Sequence, residues 1–245
     1  MRDELSTGEP TPYDAIARLY DAWSRSVTED VPFYLEEARR TAGHGPVVEL
    51  GVGTGRIAIA IAADGIPVVG VDSSAAMLEV CREHAELAGV ADRLDLRLGD
   101  LRTPPVTERV ELVTCPFRSL LHLRGDADRL RALHAARELL VPGGRLVFDV
   151  FAPSREDIEE TNGRWLEREP GIFERAVWDE AERTLTLTVR DDTAEATMSL
   201  GWISVHEWSD LLHRACFEVE ACYGWFDRRP YAGGEDSIWV ARGSR

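Results

Sequence analysis

A glycine-rich segment carries the clearest chemical signal in this sequence. Residues 49–56 read ELGVGTGR, after an apolar strand-like run and before a helix-like run. Glycines here let the backbone turn sharply and let a ligand come close to the main chain. The unpaired N–H groups at the start of the following helix then face that ligand. We therefore predict a ligand-binding loop between the first strand and the first core helix.

The spacing of the glycines distinguishes two classes of ligand. A dinucleotide fingerprint is G-x-G-x-x-G/A, in which the third small residue allows close helix–strand packing. Gly51 and Gly53 match its first two positions, but Arg56 stands at the third, where a long side chain opposes that packing. Glu49 suits a ligand with a cation, such as an amino group or a sulfonium, better than it suits a pyrophosphate. An ordinary tight strand–helix turn is the alternative interpretation.

Two acidic residues follow the next two predicted strands. Asp72 ends the second strand, where an acid can bind both hydroxyls of a ribose. Its alternative role is to cap the next helix, which Ser73 or Ser74 could do instead. Asp100 lies in Gly99–Leu101 after the third strand and could accept a hydrogen bond from an adenine amino group. A solvent-facing acid in a turn is the alternative for Asp100.

The elements that position these residues alternate along the chain, which predicts an α/β fold with a doubly wound, mostly parallel sheet. The predicted strands are 47–50, 68–71, 94–98, 110–114 and 145–151. The predicted helices are 56–63, 74–88 and 126–140, and Pro142–Gly144 predicts a turn before the fifth strand. Ahead of them, Thr11 and Pro12 open a helix, and a second helix covers 32–41.

The alternation of predicted strands and helices ends after the fifth strand. Strand-like runs at 172–178 and 185–190, at hairpin spacing, predict an antiparallel insertion over about 153–203. A capping box at Ser204–Glu207 predicts a helix to about Ala215. Two further strands, 217–223 and 237–241, complete the sheet.

Composition excludes several function classes. The formal net charge of −16 at pH 7 repels phosphate backbones and anionic membrane surfaces, so we expect neither nucleic acid nor membrane as a partner. Every basic side chain other than histidine is arginine, so the sequence contains no lysine for a pyridoxal-phosphate Schiff base or a P-loop.

The remaining composition bears on compartment and metals. The four cysteines form no C-x-x-C pair and the histidines form no cluster at metal spacing, so we expect no metal site and a reducing compartment. The sequence has no apolar run long enough to span a bilayer, and its start at 1–12 is polar and acidic. We therefore expect a cytoplasmic protein.

The glycine loop and the two acids, in this order, resemble class I S-adenosylmethionine-dependent methyltransferases. The resemblance runs from about Tyr13 to Arg242 and implies a Rossmann-like, seven-stranded sheet whose last strand is antiparallel. It implies S-adenosylmethionine as the cofactor, with its ribose held by Asp72. Met77 would lie under the adenine, although plain helix packing explains it equally well. The residues expected at the cofactor are Tyr20, Glu49, Gly51, Gly53, Thr54, Gly55, Arg56, Asp72, Ser73, Met77, Gly99, Asp100, Leu101, Cys115 and Phe117.

A subgroup resemblance is also visible. The segments 13–21, 115–123 and 217–242 are similar to those of small-molecule N-methyltransferases, including enzymes that act on amino sugars. In that subgroup a tyrosine near the N-terminus covers the cofactor, for which Tyr20 is the first choice and Tyr13 the second. Packing in the core is the alternative role for either tyrosine. Arg118 stands where the subgroup has asparagine, and Cys216 stands where it has glycine.

The resemblance implies four parts. These are an N-terminal helical lid (1–45), a cofactor-binding core (46–152), the antiparallel insertion on the acceptor side (153–203), and a C-terminal helix with the last two core strands (204–245). The aromatic residues of the insertion could line an acceptor pocket, a homodimer interface or simply the core. They are Trp165, Phe173, Trp178 and Trp202.

The chemistry implied is transfer of a methyl group to a small-molecule acceptor, for which we favour an amine over a hydroxyl or a carboxylate. Such a transfer depends mainly on proximity and orientation, so a dedicated base is not required. If a base exists, His122 is the first candidate, because it follows the fourth strand at the carboxyl edge of the sheet; filling a polar gap is its alternative role. A cofactor-binding protein without transfer activity and an NAD-dependent oxidoreductase are the rival interpretations.

Overall fold

Short helices open the part of the chain covered by the computed structural model, which describes residues 10–25 and 28–244. They are α1 (Pro12–Ile16), α2 (Tyr20–Trp23) and α3 (Asp30–Arg39). The helix predicted from Thr11 is therefore divided in two, with Ile16 and Leu19 buried at the break. Residues 1–9, 26, 27 and 245, which the predicted lid and C-terminal part included, lie outside the described residues.

Strands and helices alternate through the core, as its periodic apolar runs predicted. The strands are β1 (Val47–Leu50), β2 (Val68–Asp72), β3 (Leu94–Leu98), β4 (Val110–Cys115) and β5 (Leu140–Phe151). The helices are α4 (Arg56–Ala63), α5 (Ala75–Leu87) and α6 (Asp126–Leu139). A short 3₁₀ turn, 119–122, follows β4.

The turn predicted at 142–144 is wrong. These residues lie inside β5 as a bulge, because the register with β4 shifts between Val110–Leu140 and Leu112–Arg145. Gly143 takes a φ of +85° within the bulge. A glycine kink thus bends a continuous strand, and the sequence signal for such a bulge resembles that for a turn.

The insertion begins with a helix that the sequence reasoning missed, α7 (Arg155–Thr161). The Ser154 side chain accepts the N–H of Asp157 at 3.1 Å and so caps this helix. The predicted antiparallel sheet then follows, with strands in chain order: β6 (Trp165–Glu169), β7 (Ile172–Asp179), β8 (Thr184–Arg190) and β9 (Glu195–Gly201).

The C-terminal elements match their predictions closely. They are α8 (Val205–Arg214), β10 (Phe217–Tyr223) and β11 (Asp236–Gly243). The predicted capping box forms, because Ser204 Oγ accepts the Glu207 N–H at 3.3 Å and the Glu207 carboxylate accepts the Ser204 N–H at 2.8 Å. No helix in the described ranges is long and apolar enough to cross a bilayer.

The main sheet of the described chain has seven strands in the order β10-β11-β5-β4-β1-β2-β3. Its neighbouring pairs among β1 to β5 are parallel, and β11 runs antiparallel to both of its neighbours. Both faces are covered: Val47 packs in a buried cluster with Ile61 of α4, and the adjacent Val48 packs in another with Leu133 of α6. The predicted doubly wound fold is therefore confirmed, and its strand order reverses between β1 and β4.

Candidate active site

A cavity of about 530 Å³ opens at the carboxyl ends of the parallel strands, beside the reversal between β1 and β4. Open α/β sheets bind ligands at this position, and the volume suits a small molecule. Of the residues expected at the cofactor, those that line the cavity are Tyr20, Gly51, Gly53, Asp72, Ser73, Met77, Gly99, Asp100, Leu101 and Phe117. His122 lines the same cavity.

The glycine loop forms one wall of this cavity. A Cβ on Gly51, whose φ is +77°, would lie 2.5 Å from the Ser119 Oγ, because the loop after β4 packs directly on it. A Cβ on Gly53 would meet no atom of the described residues within 4 Å, so the space beside it is open. The loop thus exposes its main chain to the cavity, so that a cofactor can approach the backbone closely.

Asp72 links the glycine loop to α5. Its carboxylate accepts the Gly53 N–H at 2.8 Å and the Ser74 N–H at 2.9 Å. The cap of α5 is Ser74, whose Oγ accepts the Met77 N–H at 3.1 Å. A carboxylate offers about four acceptor sites, so Asp72 keeps capacity for ribose hydroxyls. Burial raises the pKa of Asp72 above its usual value.

Asp100 is engaged by a neighbouring arginine. Both of its carboxylate oxygens accept from the Arg102 guanidinium, and Oδ1 also accepts the Arg102 backbone N–H at 2.7 Å. The guanidinium holds the pKa of Asp100 below its usual range. A hydrogen bond from an adenine amino group to this carboxylate stays a prediction, and it requires Arg102 to yield one of these contacts.

The N-terminal helices are tied to the cavity by two acids. Asp14 of α1 accepts from the Ser74 Oγ at 2.6 Å, and Asp21 of α2 accepts from the Thr54 Oγ at 2.5 Å. These contacts hold the Tyr20 ring at the cavity, edge-on to Phe117 with 6.2 Å between ring centroids. Sequence reasoning missed both acids, which bind partners 33 and 60 residues away.

The remaining residues expected at the cofactor do not line the cavity. Thr54 is bound to Asp21 as described above, a Cβ on Gly55 would lie 2.4 Å from Cys81, and Cys115 is buried beneath the site. Glu49 is 1% exposed and accepts the Ala58 N–H, while its Oε2 has no hydrogen-bond partner among the described residues.

Arg56 also does not line the cavity, and the Glu49 carboxyl lies close to the Arg56 side chain. Arg56 forms a bidentate ion pair at 2.6 Å with Asp30, which is 1% exposed, and its guanidinium lies 5.1 Å from the centroid of the Phe117 ring. Burial raises the pKa of Glu49 to about 8, against the opposing effect of the Arg56 charge. Neither residue lines the cavity, and both pack beneath the glycine loop.

A second cavity of about 300 Å³ adjoins the first. Tyr13, Phe117 and His122 line both cavities and form the wall between them. Of the aromatic residues in the insertion, Trp178 lines the second cavity. The Trp202 ring packs edge-on against the Trp178 ring, with 5.5 Å between the ring centroids. The other lining residues with polar or aromatic side chains are Trp23, Ser24, Arg118, Phe151, Asp157, Thr161, Arg168, Glu174 and Glu235.

His122 stands in this wall, 3.0 Å from the Tyr13 hydroxyl oxygen through its Nε2. Burial lowers the pKa of His122 to about 4 and raises that of Tyr13. At neutral pH the pair therefore consists of an uncharged imidazole and an uncharged phenol. Such an imidazole is able to accept a proton, although its low pKa makes it a weak base.

We expect His122→Asn to flatten the dependence of stability on pH. The unfolded chain has a histidine pKa of about 6.5, so between pH 6.5 and 4 the unfolded state binds the extra proton and the native protein loses stability as the pH falls. This loss is about 2 kcal/mol at pH 5 and near zero at pH 7.5. Urea unfolding of both proteins at these two pH values measures it. An equal pH dependence in the variant would show that His122 titrates normally.

Comparison with known proteins agrees with this geometry. A sequence profile described as a methyltransferase domain matches residues 47–144, the segment from β1 to the bulge in β5. An uncharacterized methyltransferase of Geobacillus kaustophilus (strain HTA426) is 32% identical over 157 residues, which are 62% of this chain and 70% of that protein.

Two solved structures extend the likeness over most of the chain. The CcbJ methyltransferase from Streptomyces caelestis has a TM-score of 0.84 at 27% identity, over 98% of this chain and 100% of that one. The glycopeptide N-methyltransferase MtfA, complexed with S-adenosyl-L-homocysteine, has a TM-score of 0.61 at 25% identity, over 88% and 87% of the two chains. The chain therefore belongs to the S-adenosylmethionine-dependent methyltransferases.

Proposed function

We propose that this methyltransferase acts on an amine of a small molecule, with the cofactor in the first cavity and the acceptor in the second. The observation that carries the proposal is the shared wall of Tyr13, Phe117 and His122. A small molecule in the second cavity can reach past these side chains toward a methyl group held in the first. Two adjoining cavities thus offer the close, oriented pairing on which a displacement reaction depends.

For the cofactor, we propose that Asp72 holds the ribose hydroxyls and that Gly51 and Gly53 border the methionine end. Met77 packs against the adenine, and Tyr20 covers the cofactor from α2. When bound, S-adenosylmethionine supplies an electrophilic methyl group on its sulfonium. The residues of this chain supply binding and orientation.

For the acceptor, the charges around the second cavity favour an amine. Glu174 accepts from the Arg168 guanidinium at 2.7 Å, and Arg118 donates to Asp236 at 2.9 Å. With these pairs set aside, the lining acids Asp157 and Glu235 remain. Their side chains share a hydrogen bond that lowers the pKa of Asp157 and raises that of Glu235, and the Asp157 charge gives this cavity a negative balance. A cationic amine is attracted into such a cavity, whereas a carboxylate is repelled. The N-methyltransferase among the similar structures agrees with this chemistry.

The amine must lose its proton before it attacks the methyl group. We propose that His122 accepts this proton, and that the Tyr13 hydroxyl fixes the orientation of the imidazole ring. Because the pKa of His122 is only about 4, its contribution as a base is small. Orientation by the two cavities is then the larger contribution to the rate.

We also propose that the parts of the chain divide the work as the sequence suggested. The helices α1 and α2 act as a lid on the cofactor, supported by their contacts with Ser74 and Thr54. The insertion forms the acceptor side, since strands β7, β8 and β9 supply much of the second cavity's apolar lining. These apolar residues are Ala176, Leu185, Leu187 and Leu200.

The test is calorimetric titration with S-adenosylhomocysteine, and with NAD in a separate cell. We expect micromolar binding of the first and none of the second. A mass-spectrometric screen then compares primary amines with alcohols of the same skeleton, and transfer to the amine member of a pair is the expected result. Cofactor binding without transfer to any acceptor would favour a cofactor-binding protein, and transfer to alcohols alone would refute the amine.

A further inference from the structure

Two consecutive residues after β4 adopt the left-handed backbone conformation without being glycine. Phe117 has a φ of +53° and Arg118 a φ of +63°. Side-chain-bearing residues seldom take this conformation, and it persists where the surroundings over-determine it. Because Phe117 forms part of the wall between the cavities, whatever holds these two residues also shapes the site.

One buried carboxylate binds the backbone of both residues. Asp149 of β5 is 6% exposed; its Oδ1 accepts the Phe117 N–H at 2.8 Å and its Oδ2 accepts the Arg118 N–H at 3.1 Å. The Tyr34 hydroxyl of α3 donates to Oδ1 at 2.6 Å and fixes the carboxylate from the other side. Two acceptor oxygens are required here, since each of the two N–H groups faces a different one.

The loop held in this way touches both the cofactor wall and the acceptor wall. Ser119 lies against Gly51, as the 2.5 Å approach of an added Cβ shows. The Arg118 guanidinium lies 4.4 Å from the centroid of the Phe151 ring, which lines the second cavity. A shift of residues 117–119 would therefore move the glycine loop and the dividing wall together.

We propose that Asp149 is a positioning residue, whose carboxylate locks the loop after β4 in the left-handed conformation that the cofactor cavity requires. Asp149 lines neither cavity, so it acts through the backbone of Phe117 and Arg118 and not by touching a ligand. The inference rests on the proposed place of the cofactor in the first cavity.

The test is a cycle of variants titrated with S-adenosylhomocysteine. Asp149→Asn presents an NH₂ group to one of the two N–H donors, so we expect the Kd to rise about tenfold. Arg118→Gly in the same background removes the steric opposition to a positive φ. We expect this second change to restore the affinity to within about threefold of that of Arg118→Gly alone, which is the reference because it also removes the Arg118 contacts with Phe151 and Asp236.

Tyr34→Phe is the matched control for a loss of stability. It removes one hydrogen bond from the same carboxylate but leaves both loop N–H bonds in place, so we expect a lower Tm with the Kd within about twofold of the parent. Trypsin cleavage after Arg118 reports the loop directly, and we expect it to be faster in Asp149→Asn than in Tyr34→Phe.

The outcomes separate the two proposals. No binding by the parent protein would refute the proposed cofactor site itself. Parent binding with an unchanged Kd in Asp149→Asn, or a double variant as weak as Asp149→Asn, would refute the positioning role. If Asp149→Asn does not fold, Asp149→Glu displaces the oxygens by one methylene, and we expect from it the same loss and the same rescue by Arg118→Gly.

Discussion

Asp72→Ala is expected to weaken S-adenosylhomocysteine binding by about 100-fold or more. A hydrogen bond to a charged group contributes about 1.5–3 kcal/mol, and the proposed role gives this carboxylate two ribose hydroxyls. Their loss amounts to about 3 kcal/mol, and each 1.4 kcal/mol is a tenfold change in affinity. The substitution also leaves the Gly53 and Ser74 N–H groups without their acceptor, which loosens the glycine loop. Calorimetric titration of both proteins measures the effect.

The control for Asp72→Ala is Asp64→Ala, which removes an aspartate charge outside both cavities. Asp64 follows α4 and forms an exposed ion pair with Arg39 at 2.8 Å, a contact of little energetic weight. We expect Asp64→Ala to bind S-adenosylhomocysteine as the parent does. If Asp72→Ala, folded by circular dichroism, bound within about threefold of the parent, its assignment to the ribose would be wrong.

The fold of this chain was largely predictable because its signals are local. Strand and helix periodicity, the capping box at 204–207 and the glycines after β1 each depend on residues within a few positions of one another. The bulge at Gly143 shows the limit of such signals, since a turn and a kinked strand both call for a flexible residue there. The helix α7 was missed although Ser154 and Asp157 have capping-box spacing, which could have revealed it.

From position along the chain alone, the candidate site was predictable where its residues follow strands, whereas Tyr20 and Met77, which lie on helices and line the cavity, were predicted from the family resemblance. Asp72 and the glycines lie at the carboxyl ends of strands, and topology alone brings these together. Asp149 and Asp30 were missed because their partners are Phe117, Arg118 and Arg56, which lie 26 to 32 residues away. The apolar run LVFDVF at 146–151 signals that Asp149 is buried, but nothing in the local sequence identifies the partners of either acid.

The side-chain directions of Arg56 and Glu49 differ from those expected from the sequence, although the type of loop was predicted correctly. By sequence, the position of Arg56 opposes a dinucleotide, and Glu49 is predicted to face a cation on the ligand. In the structure both are turned below the loop, where Arg56 pairs with Asp30 and Glu49 accepts the Ala58 N–H. Sequence spacing distinguishes the loop type, whereas side-chain direction depends on partners supplied by other elements.

Gly53→Ala is expected to separate the effect of backbone strain from that of the cofactor. Gly53 and Gly65 have φ values of +55° and +91°, and a Cβ on either would meet no atom of the described residues within 4 Å. Alanine in the left-handed region is destabilising by about 1–2 kcal/mol, so both Gly53→Ala and the control Gly65→Ala should lower the Tm by a similar amount. Thermal unfolding without ligand measures this common term.

Binding should then distinguish the two variants. Gly53 lines the first cavity, which is the proposed cofactor site, whereas Gly65 follows α4 and lines neither cavity. On that proposal, the added methyl group takes up cofactor space in Gly53→Ala alone. We expect the Kd for S-adenosylhomocysteine to rise about 30-fold in Gly53→Ala and to stay within about twofold in Gly65→Ala. Equal affinities at equal loss of Tm would mean that the cofactor does not approach the backbone at Gly53. The open space beside Gly53 would then belong to the binding site of a different ligand.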